Sequence, residues 1–202
     1  TDIDEDILER AIDPEEYIVG PGDVIEVNIW GGMEQHYRLS VSPEGYLAIP
    51  TVGENRVADK LLSDVKQQVK NAAERVYNPS EISVSLRKLR RFRIPVTGVL
   101  DYPGVYEASA VDRVSHILQK AGLIDTMSSQ RNISLIRNSG DTVRVDLMMF
   151  ARNSELEFNP FLQQGDAVYV PPLSEEIGIV SIYGAVRMPD DYEYAPGDRI
   201  RN

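Results

Sequence analysis

The sequence reads as an α+β protein. Two separate stretches, Asp59–Val76 and Asp112–Ala121, repeat apolar residues at helical spacing. On either side of each stretch, apolar and polar residues alternate with period two, as in half-buried strands. Glycine, proline and aspartate punctuate the segments between them. Strands, one helix and further strands therefore follow one another twice, the order of an α+β domain. Residues 17–90 and 91–173 are expected to form two such units.

The elements follow in order. Residues 1–16 hold eight acids and one base, Arg10, yet Ile3, Ile7, Leu8, Ala11 and Ile12 fall on one helical face. This predicts a short amphipathic segment that Pro14 ends. Gly20-Pro21-Gly22-Asp23 is a turn: proline sets φ, glycine permits positive φ, and aspartate bonds nearby backbone N–H groups. Ile25, Val27 and Ile29 then alternate with Glu26 and Asn28. Tyr37, Leu39 and Val41 alternate next, turn at Pro43-Glu44-Gly45, and return as Tyr46–Ile49, which predicts a hairpin. The helix over 59–76 aligns Leu61, Leu62, Val65, Val69, Ala72, Ala73 and Val76 in one stripe, with Asp59 as its expected N-cap. Asn78-Pro79 stops it, and Ile82, Val84 and Leu86 make a strand.

The second unit opens with the strand Ile94–Val99 and the turn Asp101-Tyr102-Pro103-Gly104. Its helix buries Val114, Ile117, Leu118 and Ala121, with Gly122 as the stop. Ile133–Arg137 and Thr142–Leu147 flank Asn138-Ser139-Gly140-Asp141, a hairpin signal. Gly165-Asp166 leads into Ala167–Val170, and Pro171-Pro172 closes the unit.

Part of this unit is repeated. Gly98, Pro103, Tyr106-Glu107 and Asp112-Arg113 recur 86 residues later as Gly184, Pro189, Tyr192-Glu193 and Asp198-Arg199. Residues 174–202 thus read as the start of a second copy, truncated where the first copy begins its helix. A strand is expected over Ile179–Val186, with Pro189 in the following turn and Tyr192-Glu193 on the return. A two-stranded stub is marginal in water, so it is expected to lean on the preceding domain, on the N-terminal segment or on another copy.

Composition excludes several classes of function. The 202 residues carry a net charge of −11, which argues against nucleic acid as a partner. There is no cysteine, so disulfides, thiolate metal sites and cysteine nucleophiles are absent. Two histidines, His36 and His116, leave little material for a histidine-based metal or catalytic site. Neither a cofactor nor a metal is expected. The longest run without a charge is ten residues, Ile177–Val186, whereas a membrane helix needs about 18 or more. The chain as given reads as soluble, or as a soluble piece of something longer.

Several motifs together resemble one family. Tyr17-Ile18-Val19-Gly20-Pro21-Gly22-Asp23-Val24-Ile25-Glu26-Val27 is similar to the opening of bacterial outer-membrane polysaccharide export proteins. The likeness continues through Val41-Ser42-Pro43-Glu44-Gly45-Tyr46, Ile49-Pro50, Val52-Gly53 and Val84-Ser85-Leu86. The second unit resembles the soluble-ligand-binding β-grasp domain of that family. Its matching residues are Val96-Thr97-Gly98-Val99, Tyr102-Pro103-Gly104, Tyr106, Ala121-Gly122, Val145-Asp146-Leu147, Leu162, Gly165-Asp166 and Val168-Tyr169-Val170-Pro171. On this resemblance the fold is a small polysaccharide-export α/β domain, a β-grasp domain and a truncated second β-grasp repeat. The motif residues Gly20, Pro21, Gly22, Asp23, Gly45, Tyr46, Pro50, Gly98, Pro103, Gly104, Gly122, Gly165 and Asp166 are then structural. Three departures touch turns: Ala58-Asp59-Lys60 and Leu123 stand where the family usually has glycine, and Pro189-Asp190 replaces Pro-Gly.

The resemblance implies a non-enzymatic subunit of a ring-shaped conduit, an octamer being one option, at the periplasmic face of a bacterial outer membrane. Capsular or extracellular polysaccharide would pass through it. An inner-membrane co-polymerase, often a tyrosine autokinase, would be the partner. The lipidated cysteine and C-terminal membrane helix of well-known members are absent, so anchoring does not follow from this chain. The alternative is a monomeric periplasmic β-grasp module for ligand binding or scaffolding.

Candidate contact residues lie in Arg87-Lys88-Leu89-Arg90-Arg91-Phe92-Arg93. Arg87, Lys88, Arg90, Arg91 and Arg93 suit an acidic polysaccharide or an acidic patch of a neighbouring subunit. A solvated linker that discourages edge pairing would look the same. Asp190-Asp191 and Glu175-Glu176 are adjacent, so their side chains diverge in a strand and do not make a catalytic carboxylate pair. Trp30 and the ten tyrosines have ring faces for sugars, although packing is the usual role of aromatics at strand positions.

Overall fold

In the computed structural model, residues 11–31, 34–77, 80–122, 128–173, 179–185 and 190–194 are described. The amphipathic segment expected over 1–16 lies mostly outside them; its last residues, 14–16, form a turn. The chain divides into two compact units, Thr1–Arg91 and Phe92–Asn202.

The first unit contains β1 (Val24–Gly31), β2 (Gln35–Ser40), β3 (Tyr46–Ile49), β4 (Gly53–Arg56), α1 (Leu62–Glu74) and β5 (Ser80–Lys88). An antiparallel sheet runs in the order β2-β1-β5. Period two decides its faces: Ile25, Val27 and Ile29 are fully buried, while Glu26 and Asn28 between them remain partly open. The apolar stripe of α1, Leu62, Val65, Val69 and Ala73, closes the core.

The first unit differs from the sequence expectation at a hairpin and at a helix start. The hairpin read between residues 37–41 and 46–49 does not form. Instead β2 pairs with β1, and β3 pairs with β4. The backbone of Val41 explains the difference. Its N–H donates to the Asp23 carbonyl at 2.8 Å and its carbonyl accepts from the Gly22 N–H at 3.0 Å, so the end of β2 is committed to the entry of β1. The partner of β3 is Gly-Glu-Asn-Arg, which has no apolar residue to mark it as a strand.

The helix also begins later than Asp59. Its N-cap residue is Leu61, with no side-chain cap. The Leu62 N–H donates to the Tyr17 carbonyl at 2.8 Å and the Ser63 N–H to the Pro14 carbonyl at 3.0 Å. Backbone from residues 14–17 thus satisfies the first helical donors, and no capping side chain is needed. Asp59 itself adopts φ +63°, the left-handed region, where the family resemblance leads one to expect glycine. Aspartate is among the few other residues that visit that region readily.

The second unit contains β6 (Arg91–Gly98), β7 (Gly104–Ser109), α2 (Val114–Lys120), β8 (Ile133–Ile136), β9 (Thr142–Val145), α3 (Leu147–Asn153), a 3-10 turn at Leu156–Phe158 and β10 (Ala167–Val170). Its mixed sheet has the order β7-β6-β10-β8-β9. β10 lies parallel to β6 and antiparallel to β8. Val114, Ile117 and Leu118 of α2 join Ile94, Val96, Ile133, Leu135 and Val168 of the sheet in one core. The strand expected to reach Leu147 stops at Val145. There the Asp146 carboxylate accepts from the Met149 N–H at 2.9 Å and starts α3.

The repeated segment forms β11 (Ile179–Ile182) and β12 (Asp190–Glu193), an antiparallel pair. Val186 and Pro189 lie outside the described residues. β12 is fastened to the loop before β8. The Glu193 carboxylate accepts from the Ser129 hydroxyl, from Gln130 N–H at 3.2 Å and from Asn132 Nδ2 at 3.1 Å. Of the three supports expected for the stub, the preceding domain supplies this one.

Candidate functional site

The turn that opens the first unit is built around Asp23, whose side chain is fully buried. One carboxylate oxygen accepts from the Tyr17 hydroxyl at 2.7 Å and the Arg90 N–H at 2.8 Å. The other accepts from the Gly20 N–H and from the Arg90 guanidinium, both at 2.8 Å. The guanidinium also donates to the Ile18 carbonyl at 2.9 Å and lies 5.7 Å from the centre of the Tyr17 ring. A Cβ on Gly20 would come within 2.9 Å of that guanidinium, so the first glycine of the motif is the floor on which Arg90 rests.

The second unit repeats this device. Asp166 is buried, and one of its oxygens accepts from the Gln163 N–H at 2.7 Å and from Arg137 at 2.6 Å. Gly165 turns at φ +89° against Asn138. In both turns the carboxylate bonds the backbone N–H three residues earlier and holds one arginine. The second oxygen of Asp166 has no hydrogen-bond partner. Burial pushes this carboxyl above its ordinary range, against the opposing pulls of Gln163 and Arg137.

The remaining motif residues sit at turns and strand ends. Gly45 packs on Ala58, and Gly98 lies against the Val170 backbone. Gly122 abuts Asp101 and Tyr102, beside Pro103 and the start of β7 at Gly104. Tyr46 is exposed. The Pro50 carbonyl accepts from Tyr77 at 3.4 Å. The Tyr77 hydroxyl also bonds that of Thr51, a β-branched residue held at φ +64°.

The basic segment does not act as one patch. Arg87 and Lys88 are exposed on β5, Leu89 and Arg90 turn inward, and Arg91 and Arg93 are exposed on β6. Arg90 departs from the expectation of a contact residue, because its charge is committed to Asp23 inside the first unit. The run of bases showed charge but not direction.

A second polar array lies on the open face of the β2-β1-β5 sheet, which the sequence reading did not assemble. Glu26 accepts from Arg38 across the strands at 3.0 Å. Asn28 bonds His36 at 2.8 Å and reaches Glu26 at 3.4 Å. Trp30 follows on the same face, 37% exposed. The Arg38 bond, then Asn28, and more weakly the charge of Arg87, hold Glu26 below the usual carboxylate range. The signal for this array was present: the residues between the buried ones on β1 and β2 are polar. Among the described residues, no group of three or more histidines or acids is placed to hold a metal. Nor is any helix among them long and apolar enough to cross a membrane.

Comparison with known proteins adds two findings. Residues 11–87 match the model of a family described as polysaccharide biosynthesis/export protein. Two sequences of the polysialic acid transport protein KpsD from Escherichia coli are 30% and 29% identical to this chain over 182 residues, covering 89% of it. The chain spans 32% of the length of those relatives.

Proposed function

We propose, from the match of residues 11–87 to the polysaccharide biosynthesis/export protein family, that the chain is a non-enzymatic subunit of a conduit for capsular or extracellular polysaccharide. The observation that carries this reading is the match of the first unit to an export family, joined to relatives named for transport of a polysaccharide. The buried motif supports it. Gly20, Asp23 and Arg90 bond one another and the neighbouring Tyr17 and Ile18 in one buried turn, which supports a scaffold role for the motif. In the second unit, α2 packs on a mixed sheet whose first and last strands run parallel side by side, which supports the β-grasp reading. The linked hairpin β11–β12 fits a further copy of that fold beginning at 174.

The complete protein would assemble as a ring at the periplasmic face of the outer membrane, with an inner-membrane co-polymerase as partner. A conduit of this kind holds its cargo weakly, since a tight site would stall the polymer. The test is deletion of the gene and complementation. Surface polysaccharide should disappear on deletion while polymer accumulates inside the envelope, and the intact gene should restore it. Normal surface polysaccharide in the deletion strain would remove this reading. Sedimentation of the full-length protein separates a ring from the monomeric module: a single small species at every concentration would favour the module.

A further inference from the structure

We propose that the open face of the β2-β1-β5 sheet is a glycan track: a shallow, low-affinity contact surface for an acidic polysaccharide in transit, with Trp30 as its ring platform and Arg38 and Arg87 as its carboxylate contacts. The inference rests on the export reading and names the surface that would meet the polymer.

Three observations carry it. First, the face lies wholly within the span matched to the export family, residues 11–87. Second, its chemistry is that of a hydroxyl-rich ligand. Glu26, Asn28 and Trp30 stand on one side of β1, spaced by roughly 6.6–6.8 Å per two residues. His36 and Arg38 stand beside them on β2, paired in register with Asn28 and Glu26. These planar side chains present donors and acceptors in a row, and the indole at the end offers an apolar face with a polar edge. A second copy of the chain would want an apolar centre to its interface, whereas the apolar side chains of β1 on this face, Val24 and Trp30, stand at its two ends with Glu26 and Asn28 between them.

Third, the charge is matched. The molecule as a whole is strongly acidic at −11 and would repel a polyanion. On this face Arg38 neutralises Glu26, and exposed Arg87 on β5 offsets exposed Glu81, which pairs in register with Trp30, so the face is close to neutral. The face is thus a place where an acidic chain meets less repulsion, and each contact is solvent-exposed and weak enough to release.

Trp30 is the chain's one tryptophan, so its emission reports this face alone. The experiment titrates the whole chain with a sialic acid hexamer and, in parallel, with neutral maltohexaose, following Trp30 emission and backbone amide shifts. The sialic acid hexamer should change the emission with a millimolar midpoint and shift amides on β1, β2 and β5. Asn28→Ala and Arg87→Glu should each weaken it at least fivefold with an unchanged circular dichroism spectrum. Arg87→Glu should affect maltohexaose less, and salt should weaken only the acidic ligand. Trp30→Ala should abolish the amide shifts. Three results would overturn the proposal: no change with either sugar, shifts confined to other surfaces, or wild-type binding by both N28A and R87E. A fourth would be self-association that Arg38→Glu abolishes while sugar has no effect, since the face would then be an interface between copies. None of these touches the export reading, which stands or falls on surface polysaccharide in the deletion strain.

Discussion

Asp23 collects four donors in a site closed to solvent, and one of them, Arg90, carries a full charge. Removing that arginine leaves a buried carboxylate with its neutral donors only. Arg90→Ala should therefore cost about 3–5 kcal/mol, seen as a lower urea midpoint in Trp30 emission at unchanged slope. Arg93→Ala, on the exposed side of β6, should stay within about 0.5 kcal/mol. Equal midpoints for the two variants would show that the buried pair contributes nothing special. The two residues are indistinguishable in the sequence. The Gly-Pro-Gly-Asp turn was legible because its residue types fix local backbone geometry. The partner of Asp23 was not, because it stands 67 positions away within a run of bases. Asp166 supports a pH prediction of defined sign. Its carboxyl is raised above 3.8 by burial, so the folded protein holds this proton more firmly than the unfolded chain. That contribution to stability is fully present below 3.8 and is lost as pH rises through the folded value. In Asp166→Asn this contribution disappears, so the rise in the stability of the second unit on acidification should shrink. Urea midpoints read by hydrogen exchange on β10 check it, and an unchanged pH profile would refute it.

The strands with one buried face were readable because period two leaves a regular apolar mark: Ile25, Val27 and Ile29, or Ile94 and Val96. Elements that lack the mark were not. β4 has no apolar side chain, and α3 has seven residues, none of them fully buried. The helix start was misplaced for another reason, since backbone carbonyls from a distant segment cap it. The hairpin β11–β12 shows what a marginal element needs. Two strands bury too little to stand alone, and Ile179 remains 46% exposed. Glu193 ties the pair to residues 129–132, and its own carbonyl accepts from Arg131 at 3.4 Å. Glu193→Ala should therefore release the hairpin. Amides of β11 and β12 should lose hydrogen-exchange protection, while those of β6, β8 and β10 keep theirs. Retained protection in the hairpin would mean that the strand pairing, not the carboxylate, holds it.

Each unit has its own core, and the family match covers only the first. The span matched, residues 11–87, ends before Leu89 and Arg90, both of which are buried. The family model and physical closure therefore disagree about where the first unit stops. The family model follows the motif and the strands. Closure requires the residue that neutralises Asp23. A fragment of residues 11–87 keeps β1, β2, α1 and all but the last residue of β5 but leaves the Asp23 carboxylate without its cation and without the Arg90 N–H. A fragment of residues 11–91 restores both, at the addition of four residues. The longer fragment should unfold cooperatively in urea, with Trp30 as the reporter. The shorter one should be weaker by several kcal/mol, on the order of a lost buried partner plus a lost buried leucine, and is expected to be largely unfolded at 37 °C. Adding back the four residues with Arg90→Gln should recover only part of the difference, since glutamine supplies a donor but no charge. If the two fragments unfold at the same urea concentration, the latch does not close the unit and the match boundary is also the physical one.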